Sequence, residues 1–234
     1  QPGDIVSVSA WDGTVKVSGT EAAPGTQIEL PVKNAKLWSP DNPFLYDLKI
    51  AIMRKGKVAD EVKSYFAMRK ISLKPDANGF LRMMLNNEFV FQYGPLDQGW
   101  WPDGLYTAPT DEALLFDIVK TKEMGFNTIR KHVKSEPARW YYHCDKTGML
   151  VWQDMPSGDL GGGQWNTRPG MEGGSDKTRT QESEKIYRTE WNAIIDYLFN
   201  FPCIVVWVPF NEAWGQFKTV EITTWTMQKD PSRL

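Results

Sequence analysis

In "LYDLKIAIM", Tyr46, Leu48, Ile50 and Ile52 alternate with Asp47 and Lys49. Period two marks a strand with one buried face. "RKGK" from Arg54 to Lys57 reads as a turn, and "VADEVKSYF" reads as its returning partner. Upstream, "TVKVSG" and "TQIELPV" are short strand candidates separated by the turn-like "TEAAPG". Short strands broken by Gly, Pro and polar turns predict part of a β-sandwich over residues 1–67.

From residue 68 the pattern changes to strand, helix, strand, helix. "FVFQYG" (Phe89 to Gly94) is the first apolar run. A helix follows "YTAPT": Thr110 can cap it, Asp111 and Glu112 suit its first turn, and Leu114, Leu115, Ile118 and Val119 form its apolar stripe. Gly125 ends it, and "FNTIRKH" is the second strand. Pro137 suits the first turn of a helix through "ARWYYHCDKT", which Gly148 stops. "MLVWQDM" is the third strand and "QESEKIYRTEWNAIIDYLFN" the third helix. Cys203 to Phe210 is the fourth strand, and "FKTVEITTWTMQK" is the last helix. Alternation of this kind predicts parallel strands joined by right-handed crossovers. The connection Pro156–Thr180 breaks the pattern, being long, glycine-rich and aperiodic, which marks a functional or disordered loop.

Composition narrows the partners. A net charge of -2 gives no reason to expect nucleic acid. No apolar run approaches the ~18 residues of a membrane span. The opening "QPGDIVSVSAWDG" lacks a basic stretch followed by an apolar one, so no signal peptide is expected in it. A trimmed exported protein would begin the same way, and an extracytoplasmic location is slightly favoured. Two cysteines, Cys144 and Cys203, support neither a disulfide framework nor a thiolate zinc site and read as buried free thiols. His143-Cys144-Asp145 suggests a metal cluster, but adjacent helical side chains point about 100° apart. No metal and no cofactor are expected.

In parallel α/β folds, functional groups gather at the carboxyl ends of the strands. Those ends carry Asp97 and "GWWPDG" after the first strand, Arg130 and His132 after the second, Gln153 and Asp154 after the third, and Asn211 and Glu212 after the fourth. Trp100, Trp101, Trp152 and Trp214 lie nearby in the chain. Hydroxyl-binding polar groups beside flat aromatic rings suit a carbohydrate, and no phosphate-binding glycine fingerprint stands at the first turn. Plainer readings exist for each residue. Arg130 can simply pair with Asp154, and His132 can be an ordinary hydrogen-bonding partner. Trp191 and Trp225 read as core. Glu212, ending the apolar "IVVWVPF", would have its pKa raised by low-dielectric walls, as a general acid needs. A rim salt bridge with Arg130 is the alternative.

These segments resemble glycoside hydrolase family 2, which includes β-galactosidases, β-glucuronidases and β-mannosidases. "KLWSPDNPFLYDLKI" is similar to the close of its immunoglobulin-like domain, and "FLRMMLNNEFVFQYG" to its first-strand wording. "MGFNTIRKHVKSEPARWYYHCDKTGMLVWQDMP" is similar to its second and third strands, and "FPCIVVWVPFNE" to its Asn-Glu signature. The resemblance implies the first four units of a (β/α)8 barrel after part of an immunoglobulin-like sandwich. It implies hydrolysis of terminal β-glycosides with retention, Glu212 as acid/base, and Asn211 on the sugar 2-hydroxyl. Arg130, His132, Asp154 and Trp214 would bind substrate. His132 departs from the family's usual spacing, standing two residues after the arginine rather than three.

A complete barrel takes ~250 residues, and a retaining glycosidase pairs two carboxylates about 5–5.5 Å apart. In the family the nucleophilic glutamate lies on the seventh strand, so the resemblance implies that this chain carries the acid/base alone and is inactive by itself. A non-catalytic carbohydrate-binding module is the alternative. Self-association to cover open sheet edges is a further expectation.

Overall fold

The computed structural model describes residues 1–158, 176–211 and 215–234, and it divides into two compact units, Gln1–Arg69 and Lys70–Leu234. In the first unit, strands β1 (Ile5–Asp12), β2 (Val15–Ala22), β3 (Tyr46–Arg54) and β4 (Lys57–Phe66) form an antiparallel sheet in the order β2-β1-β3-β4. The β3–β4 hairpin turns through Lys55 and Gly56, both with positive φ, which matches the twist of the flanking strands. Val8 faces Ile50 and Ala10 faces Leu48 across the ladder, so the apolar stripe of β3 continues onto β1. Tyr46 is buried, stacks on Phe66 at 5.2 Å between centroids, and accepts the Lys36 amide on its hydroxyl at 2.8 Å.

The expected strand at Thr26–Val32 does not form. Ile28, Leu30 and Val32 still alternate, half-buried, with the exposed Gln27, Glu29 and Pro31, but no ladder partner lies alongside among the described residues. Alternation reports a face against the core; it does not supply a neighbouring strand.

The second unit opens with an antiparallel meander, β5 (Ile71–Pro75), β6 (Leu81–Leu85) and β7 (Glu88–Phe89), whose last turn uses Asn86 and Asn87, both left-handed. Then come β8 (Leu96–Asp97), α1 (Asp111–Glu123), β9 (Thr128–Lys131), α2 (Ala138–Thr147), β10 (Leu150–Asp154), α3 (Gln181–Leu198), β11 (Ile204–Val208) and α4 (Thr219–Lys229). The four strands are parallel and ordered β11-β10-β9-β8, each added beside the last, as in a barrel wound in one direction.

Local signals account for the boundaries. Thr110 Oγ1 accepts the Ala113 amide at 3.2 Å to cap α1, and Gly148 closes α2 in the left-handed conformation at φ 74. Pro137 sits one position earlier than expected, as the extended residue before α2. The first parallel strand begins later than the apolar run Phe89–Gly94. Pro95 has no N–H to give to a ladder, and Asn127 takes over part of the pairing by accepting the Tyr93 amide at 2.8 Å and donating to the Phe91 carbonyl at 2.9 Å. Gly94 lies so close to β9 that a Cβ there would fall on the Thr128 carbonyl. Cys144 and Cys203 are free and buried, and Trp191 is core, edge-on to Trp207 at 5.6 Å. Trp225 is half-buried, with the Arg188 guanidinium 5.5 Å from its ring.

Candidate active site

Side chains alternate across the parallel strands, which separates two sets of polar groups. Arg130 and Asp154, two strands' contributions to one face, meet in a two-pronged pair: Nε donates to Oδ1 and Nη2 to Oδ2, both at 2.9 Å. Nη2 also donates to Asn211 Oδ1 at 3.1 Å, so the guanidinium of β9 reaches across β10 to the third residue past the end of β11. Arginine can only donate, so it is the amide oxygen of Asn211 that faces it, and the NH2 is left as a donor for another acceptor.

Asp154 is completely buried and also accepts the Val133 amide at 3.2 Å. Burial pushes its carboxyl above the usual range, against the opposing pull of Arg130. Arg130 keeps 28% of its side chain exposed, so the pair is buried on the aspartate side and open on the arginine side. Trp152 stands on the same face of β10, its indole N–H donating to Gln92 Oε1 at 2.5 Å. His132 follows β9, nearly buried, with Nδ1 3.0 Å from Gln98 Nε2 in the loop after β8. The structure therefore brings Arg130, Asp154 and Asn211 into direct contact and ties His132 to the neighbouring loop. Glu212 and Trp214, the remaining expected site residues, lie outside the described residues, as do residues 159–175 of the long connection.

The opposite face holds a charge cluster that "RKHVKSEP" does not announce. Lys131 Nζ donates to Asp97 at 2.5 Å and Glu136 at 2.9 Å, and sits 4.3 Å from the centre of the Trp140 ring. Lys134 Nζ bridges Glu136 at 2.9 Å and the carbonyls of Gly99 at 2.7 Å and Tyr106 at 2.9 Å. Gln153 accepts the Tyr141 hydroxyl proton at 2.5 Å and donates to the Lys134 carbonyl at 2.7 Å. Two lysines and a glutamate, all buried, thus fasten the loop after β8 to the carboxyl rim. In sequence these charges look like a solvated run, because nothing local says which of them face α2. His143 Nε2 pairs with Asp111 at 3.1 Å, and no metal-binding cluster occurs among the described residues.

Beyond the strand ends, Arg179 joins the connections. Its Nη2 donates to the carbonyls of Ser157 at 2.5 Å and Gly215 at 2.7 Å, its Nε also reaches Gly215 at 2.9 Å, and its plane lies 4.6 Å from the Phe217 ring centre. Nothing in the glycine-rich sequence signals that role.

Comparison with known proteins agrees with this architecture. The sequence pattern of glycosyl hydrolases family 2 matches residues 3–69, and that of the TIM barrel domain of the same family matches residues 108–234. The chain is 31% identical over 233 residues to a provisionally named beta-glucuronidase of Formosa agariphila, covering 98% of this chain and 21% of that protein. It is 30% identical over 128 residues to the beta-galactosidase of Lactococcus lactis, covering 54% of this chain and 12% of that protein. The fold superimposes on the solved beta-D-glucuronidase of Dictyoglomus thermophilum with a TM-score of 0.80 at 20% identity, over 99% of this chain and 39% of that one. The chain spans about a fifth of the length of the first curated relatives it matches, 21% and 19%.

Proposed function

Since the chain belongs to glycosyl hydrolases family 2, we propose that it supplies the acid/base half of a retaining β-glycosidase active site. The observation that carries this reading is the contact of Arg130 with both Asp154 and Asn211, at the carboxyl ends of strands that the family's barrel uses for catalysis. Names of the relatives point to β-glucuronides and β-galactosides as the substrate class.

In this reading Asn211 donates its free N–H to the sugar 2-hydroxyl, a bond that strengthens as the oxocarbenium-like transition state forms. Arg130 orients the amide by occupying its oxygen, and Asp154 in turn holds the guanidinium flat. Glu212 donates a proton to the glycosidic oxygen as the C1–O bond breaks and its electron pair stays on the leaving oxygen. A second carboxylate bonds to C1. Glu212 then takes a proton from the water that attacks C1 and releases the carboxylate. That second carboxylate belongs to a later strand of the barrel, outside these 234 residues. His132 and Trp214 belong to the sugar-binding rim, with Trp214 offering a stacking surface.

The test is direct. The purified 234-residue chain is expected to bind p-nitrophenyl β-glucuronide or β-galactoside in calorimetric titration without turning either over. Arg130→Met should abolish the binding. Release of p-nitrophenol by this chain, lost on Glu212→Gln, would overturn the assignment of the nucleophile to another segment. Absence of binding to any β-glycoside would overturn the reading as a whole.

A further inference from the structure

The flanks of the segment after β11 are tied to α3 on one side and to the chain just before α3 on the other. On the near side, the Tyr187 hydroxyl donates to the Pro209 carbonyl at 2.6 Å, and its ring stacks on Phe210 at 5.4 Å. On the far side, Arg179 donates twice to the Gly215 carbonyl, while Lys177 N–H donates to the Gln216 carbonyl at 2.8 Å. Asp176 accepts the Thr219 amide at 2.7 Å and its hydroxyl at 2.5 Å, which caps α4. The Arg179 guanidinium also lies 5.1 Å from the Tyr187 ring centre, so the two ties are packed on one another. Through its bond to Ser157, the same guanidinium holds the chain three residues beyond Asp154.

From this geometry we propose that Arg179 is a positioning residue for the proton-donating step. It fixes the Gly215 carbonyl, three residues past Glu212 in the chain, relative to the strand ends that carry Asp154 and Asn211. One planar cation satisfies carbonyls from the two connections that follow β10 and β11, which a lysine with its single compact head would do less rigidly. Both ties act on residues that flank Glu212 in the chain, Pro209 and Gly215, and proton transfer requires a donor within hydrogen-bonding reach of the leaving oxygen. Arg179 itself touches neither substrate nor reacting atom in this proposal, which rests on Glu212 being the acid.

The acid matters most when the leaving group is poor, and this separates positioning from simple support. The assay compares phenyl β-glycosides with 2,4-dinitrophenyl β-glycosides, in the glycosidase that carries this chain together with its second carboxylate. Arg179→Met should lower kcat/KM roughly 100-fold for the phenyl substrate and leave the first, bond-breaking step on the dinitrophenyl substrate within about 3-fold. Arg179→Lys should fall between. A loss equal for both substrates, or no loss, would overturn the proposal. Should the methionine variant fail to fold, the lysine variant tests the same role through the same ratio. Glu212→Gln serves as the reference. If that variant itself shows no dependence on leaving group, the acid assignment fails; if it does and Arg179→Met does not, only the positioning role fails.

Discussion

Glu136 offers a sharp test of how the charge cluster holds the barrel rim. Its side chain is 3% exposed, between Lys131 at 1% and Lys134 at 4%. Replacing it with Met of similar length leaves the Lys134 ammonium with two carbonyls and, among the described residues, no carboxylate in reach, while Lys131 keeps Asp97. Stranding a buried charge in this way costs about 3–5 kcal/mol. The double variant Lys134→Met, Glu136→Met removes the stranded charge and leaves Lys131 matched with Asp97. Its remaining cost is the lost bond to the carbonyls of Gly99 and Tyr106, about 1–3 kcal/mol. The double variant should therefore be more stable than Glu136→Met by about 2 kcal/mol. Urea unfolding followed by far-ultraviolet circular dichroism measures the difference; with a slope of about 2 kcal/mol per molar, it is a midpoint shift of about 1 M. A double variant that unfolds at lower urea than Glu136→Met alone would refute this account, since the cost would then reside in packing rather than in the unpaired ammonium.

Three further outcomes follow from other parts of the structure. Burial pushes Asp230 up, but the Arg233 charge and bonds from Ser232 and Trp207 overcome this, so its carboxyl sits below the usual range. A depressed folded-state pKa gives stability that is present above the unfolded value, about 4, and lost as pH falls through the folded one; thermal melts should fall through that window, and less steeply in Asp230→Asn. Gly94→Ala drives a methyl into the Thr128 carbonyl of the neighbouring strand and should cost about 3 kcal/mol or more, read from the urea midpoint, whereas Gly125→Ala meets no neighbouring atom and should cost less. Burial pushes the Cys144 and Cys203 thiols up, so neither should react with a disulfide reagent at neutral pH until the chain is unfolded, when both should.

The order of the elements is legible in the sequence alone. Thr110, Gly125 and Gly148 mark ends of α1 and α2, and alternation marks the buried face of β3, because caps, turns and periodicity are local physics. The same pattern puts Arg130, Asp154 and Asn211 at strand ends, where a parallel sheet must expose its loops. Pairing is not local. Thr26–Val32 alternates as a strand does but has no ladder partner among the described residues, and the first parallel strand waits for Leu96 because Pro95 and Gly94 govern how closely that chain can lie against β9. It takes the folded chain to turn Lys131 and Glu136 inward, to bring Arg130 across β10 to Asn211, and to make Arg179 gather two distant connections. A charge reads alike in sequence whether it meets water or a buried counter-charge. Which one it meets depends on residues distant in the chain, as Asp97 is 34 positions from Lys131, brought beside it by the winding of the sheet.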